Sequence, residues 1–312
     1  MKITKFQLDR DLGRLEAYLR ERYREDGEAT SWLPERLHDL LYRVRAQELD
    51  EGREPSADHI YLWEEGDGIL ACILPDGENV YVSIKRGHEQ LFPSLVTYSE
   101  GKCRVLFPAA EDGTVKFWFA ISDSMPYAKK VLAASGYREY PEKEYMNCAF
   151  PAKAETAIAL PQGFQLLYGE EYPNVENKWS ALRMGFHPEF ESQDYRASMN
   201  PYRERKKSSL YPDSFECLVV EQNSPEKNNV CSYCFVYVDE ATKTALIEPV
   251  STRERYQHKG LGTAMMHGVV QRCQTRGIEK CYVDSFGWRK DFYSASGFFP
   301  ESSISFWYKT LS

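Results

Sequence analysis

No run of about 18 apolar residues occurs anywhere in these 312 residues, which excludes a helical membrane span, and no secretory apolar segment is present. Basic charge is in deficit: 39 Lys and Arg stand against 47 Asp and Glu, a net charge of −8. No global field therefore favours nucleic acid or an anionic membrane, and neither is expected as a partner. The six histidines show no ligand spacing and no His-Glu-x-x-His, so no metal is expected. The eight cysteines are scattered. The one close pair, Cys231 and Cys234, lies in an expected strand, where residues three apart point to opposite faces. A reduced, cytoplasmic protein is the expectation. With 42% hydrophobic and 28% charged residues the chain is not disordered, and its length suits two ordinary domains.

Element signals run in an order that occurs twice. Asp11–Arg24 places Leu12, Leu15 and Leu19 at helical spacing, and Pro34 opens a second helix through Leu37, Leu41 and Val44. Three short strands follow, Ile60–Trp63, Ile69–Leu74 and Val80–Ile84, joined by Gly66-Asp67-Gly68 and Pro75-Asp76-Gly77. Next come a helix at Glu89–Ser99, a strand at Val115–Ile121, a helix ending at Gly136 and a strand at Tyr145–Phe150.

After an Ala- and Pro-containing stretch, 151–163, the order repeats. Phe164–Tyr168 reads as a strand, Val175–Met184 as a helix and Phe190–Met199 as a weaker helix. Strands at Phe215–Glu221, Val230–Val238 and Ala245–Val250 precede a helix at Leu261–Arg276. A strand at Lys280–Asp284, a short helix ending at Gly297 and a strand at Ile304–Tyr308 complete the copy. An echo supports duplication: Lys129–Tyr137 aligns with Lys290–Phe298, pairing Gly136 with Gly297 and Leu132 with Tyr293. The expected domains are 1–150 and 164–312, with 151–163 as linker.

The most informative stretch is Glu248-Pro-Val-Ser-Thr-Arg-Glu-Arg-Tyr-Gln-His-Lys-Gly-Leu-Gly-Thr263. It runs from a strand end into a helix start, with Gln257, Gly260 and Gly262 in the spacing Gln-x-x-Gly-x-Gly. Glycines let backbone approach a ligand, and first-turn N–H groups with the helix dipole behind them form a phosphate site. A dinucleotide fingerprint needs a third glycine where Met265 stands, and no Gly-Lys-Ser/Thr is present for a P-loop. Arg253, Arg255, His258 and Lys259 bring basic charge to the same place. The other basic run, Arg203–Lys207, reads as a solvated loop.

This stretch resembles motif A of the GNAT (Gcn5-related N-acetyltransferase) superfamily, whose signature is Gln/Arg-x-x-Gly-x-Gly/Ala. The element order from Phe164 to Tyr308 is similar to that fold, and 1–150 resembles a second copy in order only. The pair resembles the tandem group that contains mycothiol-synthase-like acetyltransferases. The resemblance implies an α/β (α+β) fold of two GNAT-like domains, each a mixed, mainly antiparallel sheet flanked by helices. It also implies acetyl-CoA as co-substrate, with no metal. The Val250-Ser251-Thr252 backbone would run beside the pantetheine arm, and Gln257, His258, Lys259, Gly260, Leu261, Gly262 and Thr263 would hold the pyrophosphate.

By the same resemblance Tyr293, in Tyr-x-x-x-Gly-Phe, is the expected general acid toward the CoA sulfur, and Glu248 the expected base. Phe186 and Glu189 are candidate acceptor contacts. Two positions depart from the family pattern: Phe286 stands where many members have asparagine, with Ser285 beside it as a substitute, and Glu254 stands near a common proline. The N-terminal copy has Lys85-Arg-Gly-His-Glu-Gln-Leu-Phe-Pro93 at the corresponding passage and Leu132 for the acid, so it is expected to be degenerate. The expected function is direct transfer of an acetyl group from acetyl-CoA to a primary amine of a small molecule or peptide. The alternative is a non-catalytic acyl-CoA-binding sensor or scaffold module.

Overall fold

The structure, a computed structural model, describes residues 1–27, 32–153, 158–192 and 198–311. The chain divides into two compact units: Met1–Met146 with Glu301–Ser312, and Asn147–Pro300.

The first unit begins with strand β1 (Lys2–Lys5) and helix α1 (Leu8–Asp26), which buries Leu15, Tyr18 and Leu19 on one face and ends at left-handed Gly27. Helices α2 (Pro34–Asp39) and α3 (Arg45–Asp50) are joined through a π-helical turn at Leu40–Val44. Strands β2 (Tyr61–Glu65), β3 (Gly68–Asp76) and β4 (Asn79–Ile84) form the antiparallel meander that the two Gly-containing turns announce. Helices α4 (Phe92–Glu100) and α5 (Cys103–Leu106) lead to strand β5 (Val115–Ser122), helix α6 (Pro126–Ala134) and strand β6 (Arg138–Ala149), along which the chain enters the second unit. The pair β4–β5 is parallel, through Asn79–Tyr81 and Trp118–Ala120.

The second unit follows the same plan. Strand β7 (Phe164–Tyr168), helices α7 (Val175–Phe186) and α8 (Asn200–Arg205), and strands β8 (Cys217–Glu221), β9 (Val230–Asp239) and β10 (Thr244–Thr252) precede helix α9 (Leu261–Thr275). Strand β11 (Lys280–Phe286) and helix α10 (Lys290–Ala295) follow, and strand β12 (Phe299–Leu311) carries the chain back into the first unit. The pairs β7–β8, β8–β9 and β9–β10 are antiparallel and β10–β11 is parallel. Every residue of β9 is buried, because helices cover both faces: Cys234, Val236 and Val238 join the α9 side, and Tyr233, Phe235 and Tyr237 the α7 side. Each unit is thus a mixed, mainly antiparallel sheet flanked by helices.

Three expectations need correction. First, the last strand does not end up with 164–300: residues Ile304–Leu311 of β12 pair antiparallel with Ser122–Val115 of β5. An alternating strand can complete any sheet of matching edge, so its pattern does not say which one. Second, Cys231 and Cys234 share one buried cluster, because the β8–β9 register shifts between Val219 and Val220 and the alternation slips at Cys231. Burial pushes the Cys231 thiol up to about 12, so it is inert. Third, the helix expected at Phe190–Met199 is a short 3-10 turn at Pro188–Ser192; residues 193–197 lie outside the described residues, as do 154–157 of the expected linker.

Asp123 holds β12 in place. It accepts hydrogen bonds from Ser303 (2.6 Å), Ser305 (2.5 Å) and Lys143 (2.6 Å), and pairs with Lys129. Burial alone would raise its carboxyl, but these donors hold it well below the usual carboxylate range. The stabilisation is therefore complete above the ordinary value of 3.8 and is lost as pH falls below it. Asp123→Asn is expected to cost about 1–3 kcal/mol at pH 7, a difference that narrows as pH falls below the carboxylate range, measured by urea unfolding at pH 7 and pH 3.

Candidate active site

The parallel ladder between β10 and β11 has only three pairs, Thr244–Lys280, Ala245–Cys281 and Leu246–Tyr282, although both strands continue for several residues. A bulge coincides with its end: Ile247 pairs with Val236 and Val250 with Cys234, so Glu248 and Pro249 together oppose Phe235. Bulges bend a strand and re-aim a side chain, and here the bulged residue is the predicted base. Beyond it Val250, Ser251 and Thr252 keep their pairing to β9 (Cys234, Tyr233 and Ser232), while their β11-facing edge lies past the last ladder pair.

The chain then winds tightly into α9. His258 (φ 59°) and Gly260 (φ 77°) are both left-handed, an alternation that turns consecutive N–H groups toward one point. No side chain caps α9, so its first-turn donors at Leu261, Gly262 and Thr263 are left to a ligand or solvent. A Cβ on Gly260 would meet nothing within 4 Å, which places this residue at an open space. A Cβ on Gly262 would lie 3.1 Å from Thr252 Oγ1 and from the Phe292 ring, so the helix start packs directly on the end of β10. Gln257 closes the turn: its side-chain amide donates to Thr252 O (3.0 Å) and its N–H to Glu254 O (3.0 Å).

The basic cluster divides in two. Arg253 is buried, forks onto Glu191 (2.6 and 2.7 Å) and donates to the carbonyls of Asn228 and Val230 (both 3.1 Å). Arg255 pairs with Glu226 and lies 3.5 Å from Glu191. Both are engaged with acids, which sequence spacing did not reveal; His258 and Lys259 are exposed beside Gly260. Ser285, beside Phe286, accepts from Asn147 Nδ2 (2.7 Å) inside the sheet.

Tyr293 sits on α10, 4% exposed, on the α9 side of the sheet. Burial raises its phenol well above the ordinary 10.0, the Asp284 and Glu248 carboxylates add to this, and Arg289 opposes it. Tyr293 and Glu248 are thus brought into one electrostatic neighbourhood, together with Asp284, which no motif flagged. The sequence echo is also real in space: Phe298 N–H donates to Tyr293 O (2.9 Å) after left-handed Gly297, as Tyr137 N–H does to Leu132 O (3.0 Å) after left-handed Gly136. Phe186 is exposed at the end of α7, and Glu189 lies beyond it, 3.3 Å from His187. A Cβ on neighbouring Gly185 would meet Ser251 Oγ at 2.6 Å, so this end of α7 lies against β10.

The expected solvated run at Arg203–Lys207 also needs correction. Arg205 is wholly buried, its guanidinium 2.9 Å from Glu216 and boxed by Tyr202, Tyr211 and Phe235. Burial alone would raise the Glu216 carboxyl, but Arg205 and Lys178 hold it below the ordinary value. This network anchors α7 and α8 to the sheet. Among the described residues no group of three or more His, Cys, Asp or Glu side chains is arranged to hold a metal ion. No described helix is long and apolar enough to cross a membrane.

Residues 178–298, within the second unit, match the acetyltransferase (GNAT) family. The whole chain is similar in fold to a tandem GNAT protein from the clavulanic acid biosynthesis pathway, at 12% identity, covering 99% of this chain and 98% of that one with a TM-score of 0.65. A GCN5-related N-acetyltransferase from Sphaerobacter thermophilus is similar at 17% identity, over 90% of this chain and 94% of that one, with a TM-score of 0.59. A GNAT-family acetyltransferase from Colwellia psychrerythraea is similar at 10% identity, over 99% of both chains, with a TM-score of 0.55. No curated protein sequence matches the chain.

The division of the basic cluster gives a stability prediction. Arg253→Met, which removes a buried guanidinium from half-buried Glu191 and two carbonyls, is expected to cost about 3 kcal/mol, whereas Arg255→Ala, at a half-exposed pair, is expected to cost less than about 1 kcal/mol. Guanidinium unfolding of the two variants checks the contrast.

Proposed function

We infer that the second unit is an acetyl-CoA-dependent N-acetyltransferase acting on a primary amine. The carrying observation is the convergence, within residues 244–298, of a strand edge past its ladder, an uncapped left-handed glycine turn and a buried tyrosine sharing its surroundings with Glu248.

These residues fit the co-substrate. A pyrophosphate needs converging N–H donors, room and positive charge; the turn at 258–263 supplies the donors, Gly260 the room, and His258 and Lys259 the charge. Val250–Thr252 offers an extended edge for the amide groups of a pantetheine arm. Acetyl-CoA, when bound, supplies an activated thioester; everything else falls to this chain's own groups.

An ammonium must lose two protons to become an amide, and the departing thiolate must gain one, so one proton is released per turnover. Glu248, half-buried on the bulge, takes a proton from the acceptor nitrogen. Tyr293 stays protonated across the physiological range because its folded value lies above the ordinary 10.0, and it can therefore donate to the thiolate sulfur. Backbone N–H groups of Val250–Thr252 are suited to oppose the charge that develops on the thioester oxygen.

Tyr293→Phe is expected to lower kcat by roughly 10²-fold, in the range of a lost general acid, with acetyl-CoA affinity unchanged. Unchanged turnover would remove Tyr293 from the chemistry. For the wild type, no loss of activity from Tyr293 ionisation is expected below about pH 10, since the raised value extends the protonated form upward. Gly260→Asp is expected to abolish acetyl-CoA binding, because a left-handed Cβ and a negative charge would both enter the turn. Retained affinity in a thermal-shift titration would sink the phosphate-turn assignment.

A further inference from the structure

A cavity of about 250 Å³ lies between the first turn of α7 and helix α8, lined by Val175, Glu176, Met199, Tyr202, Arg203 and Lys206. Its apolar wall continues the core: Val175 and Met199 are half-buried and pack against the buried cluster that contains Tyr202. Its rim is charged, with Glu176 supplied by α7 and Arg203 and Lys206 by α8 and its C-terminal end. Lys206 is committed, pairing with Asp213 and lying 5.3 Å from the centre of the Tyr202 ring. Glu176 and Arg203 are exposed, and among the described residues neither side chain forms an ion pair or hydrogen bond, with the other or with any neighbour.

This cavity is remote from the strand opening at the end of β10. Val175 and Gly185 are ten residues apart on α7, about 15 Å along the helix axis, and it is the Gly185 end that lies against Ser251. None of the lining residues belongs to the turn before α9, the β10 edge or α10, so the cavity and the acetyltransferase reading stand or fall separately.

Two unpaired charges of opposite sign beside one apolar wall specify a ligand. An aliphatic carboxylate would satisfy Arg203 and leave Glu176 without a counter-ion, and an aliphatic amine would do the reverse. A single carboxylate among the lining residues is too few for a divalent cation, which takes six or more oxygens. A zwitterion satisfies both ends, through charge-assisted hydrogen bonds to each. The volume corresponds to about eight water molecules, which is room for a free amino acid and too little for a nucleotide. We propose that this pocket binds a free α-amino acid with an aliphatic side chain. Its ammonium group sits on Glu176, its carboxylate on Arg203 with Lys206 beside it, and its side chain against Val175, Met199 and Tyr202.

The test is ligand-observed NMR on the full chain with three probes: L-leucine, L-leucinamide, which lacks the carboxylate, and N-acetyl-L-leucine, which lacks the ammonium group. Leucine is expected to bind, and each analogue to bind roughly tenfold or more weaker, the size of a lost charged hydrogen bond. Glycine, which leaves the apolar wall uncovered, is expected to lose a similar factor. Arg203→Gln is expected to remove the preference for leucine over leucinamide, and Glu176→Gln the preference over N-acetyl-leucine; both residues are exposed, so both variants keep the fold. Excess CoA is expected to leave leucine bound. No leucine binding, equal binding of either analogue, or unchanged affinity in either variant would each overturn the proposal, as would displacement by CoA, which would place the amino acid at the end of β10. Leucine binding with these preferences in a chain that does not bind CoA would uphold the pocket and overturn the acetyltransferase reading.

Discussion

The site depends on a ladder that stops. Parallel strands that share three pairs and then continue must separate, and the bulge at Glu248–Pro249 bends β10 at the same point. That separation leaves the edge at Val250–Thr252 beyond the last ladder pair and leads the chain into the turn before α9. The first unit contains the same device: β4 and β5 also pair over three residues only. Past their last pair lies a cleft of about 240 Å³, lined by Ser83, Ile84, Ser124 and Tyr127 with Arg22 and Arg86. A ladder that stops after three pairs thus occurs in both units.

What differs is the chain that leaves it. In the second unit an uncapped turn presents backbone donors to an open space. In the first, the passage after β4 contains one left-handed glycine, Gly87, whose N–H already donates to Glu89 Oε1 (3.0 Å). That contact, with the glutamate's own N–H, holds the Glu89 carboxyl below its ordinary value. An internal carboxylate stands where an external anion would be needed, and Leu132 occupies the place of Tyr293. On the proposed reading these two replacements leave the first unit without a place for a CoA pyrophosphate. The charge around the second turn is economical in a similar way: Arg253 and Arg255 hold Glu191 and Glu226, which fixes the loop and leaves Lys259 and His258 at its tip.

Periodicity and turn chemistry made most of the fold legible, since the meander, the helix starts at Pro34 and Leu261, and the Gly136 and Gly297 helix ends all depend on neighbours in sequence. The Gln-x-x-Gly-x-Gly spacing marked the turn for the same reason, because left-handed backbone demands glycine locally. Long-range partnership was not legible. Nothing in Ile304–Leu311 says that it pairs with β5, nothing in Arg253 says that Glu191 waits 62 residues away, and Arg205 reads as a surface residue until Glu216 and three aromatic rings enclose it. Asp284 was missed because only the folded sheet brings it, with Glu248, into the surroundings of Tyr293. Bulges are the other blind spot: one inserted residue put Cys231 and Cys234 in the same cluster against the rule of alternation.

The central claim is an asymmetry, two openings with one competent anion turn. Calorimetric titration of the wild-type chain with acetyl-CoA tests it most directly, through the stoichiometry. The account predicts one site per chain. Two sites would show that the Glu89-capped passage of the first unit still accepts the co-substrate, and no binding would show that the turn at Gly260 is not an acetyl-CoA site.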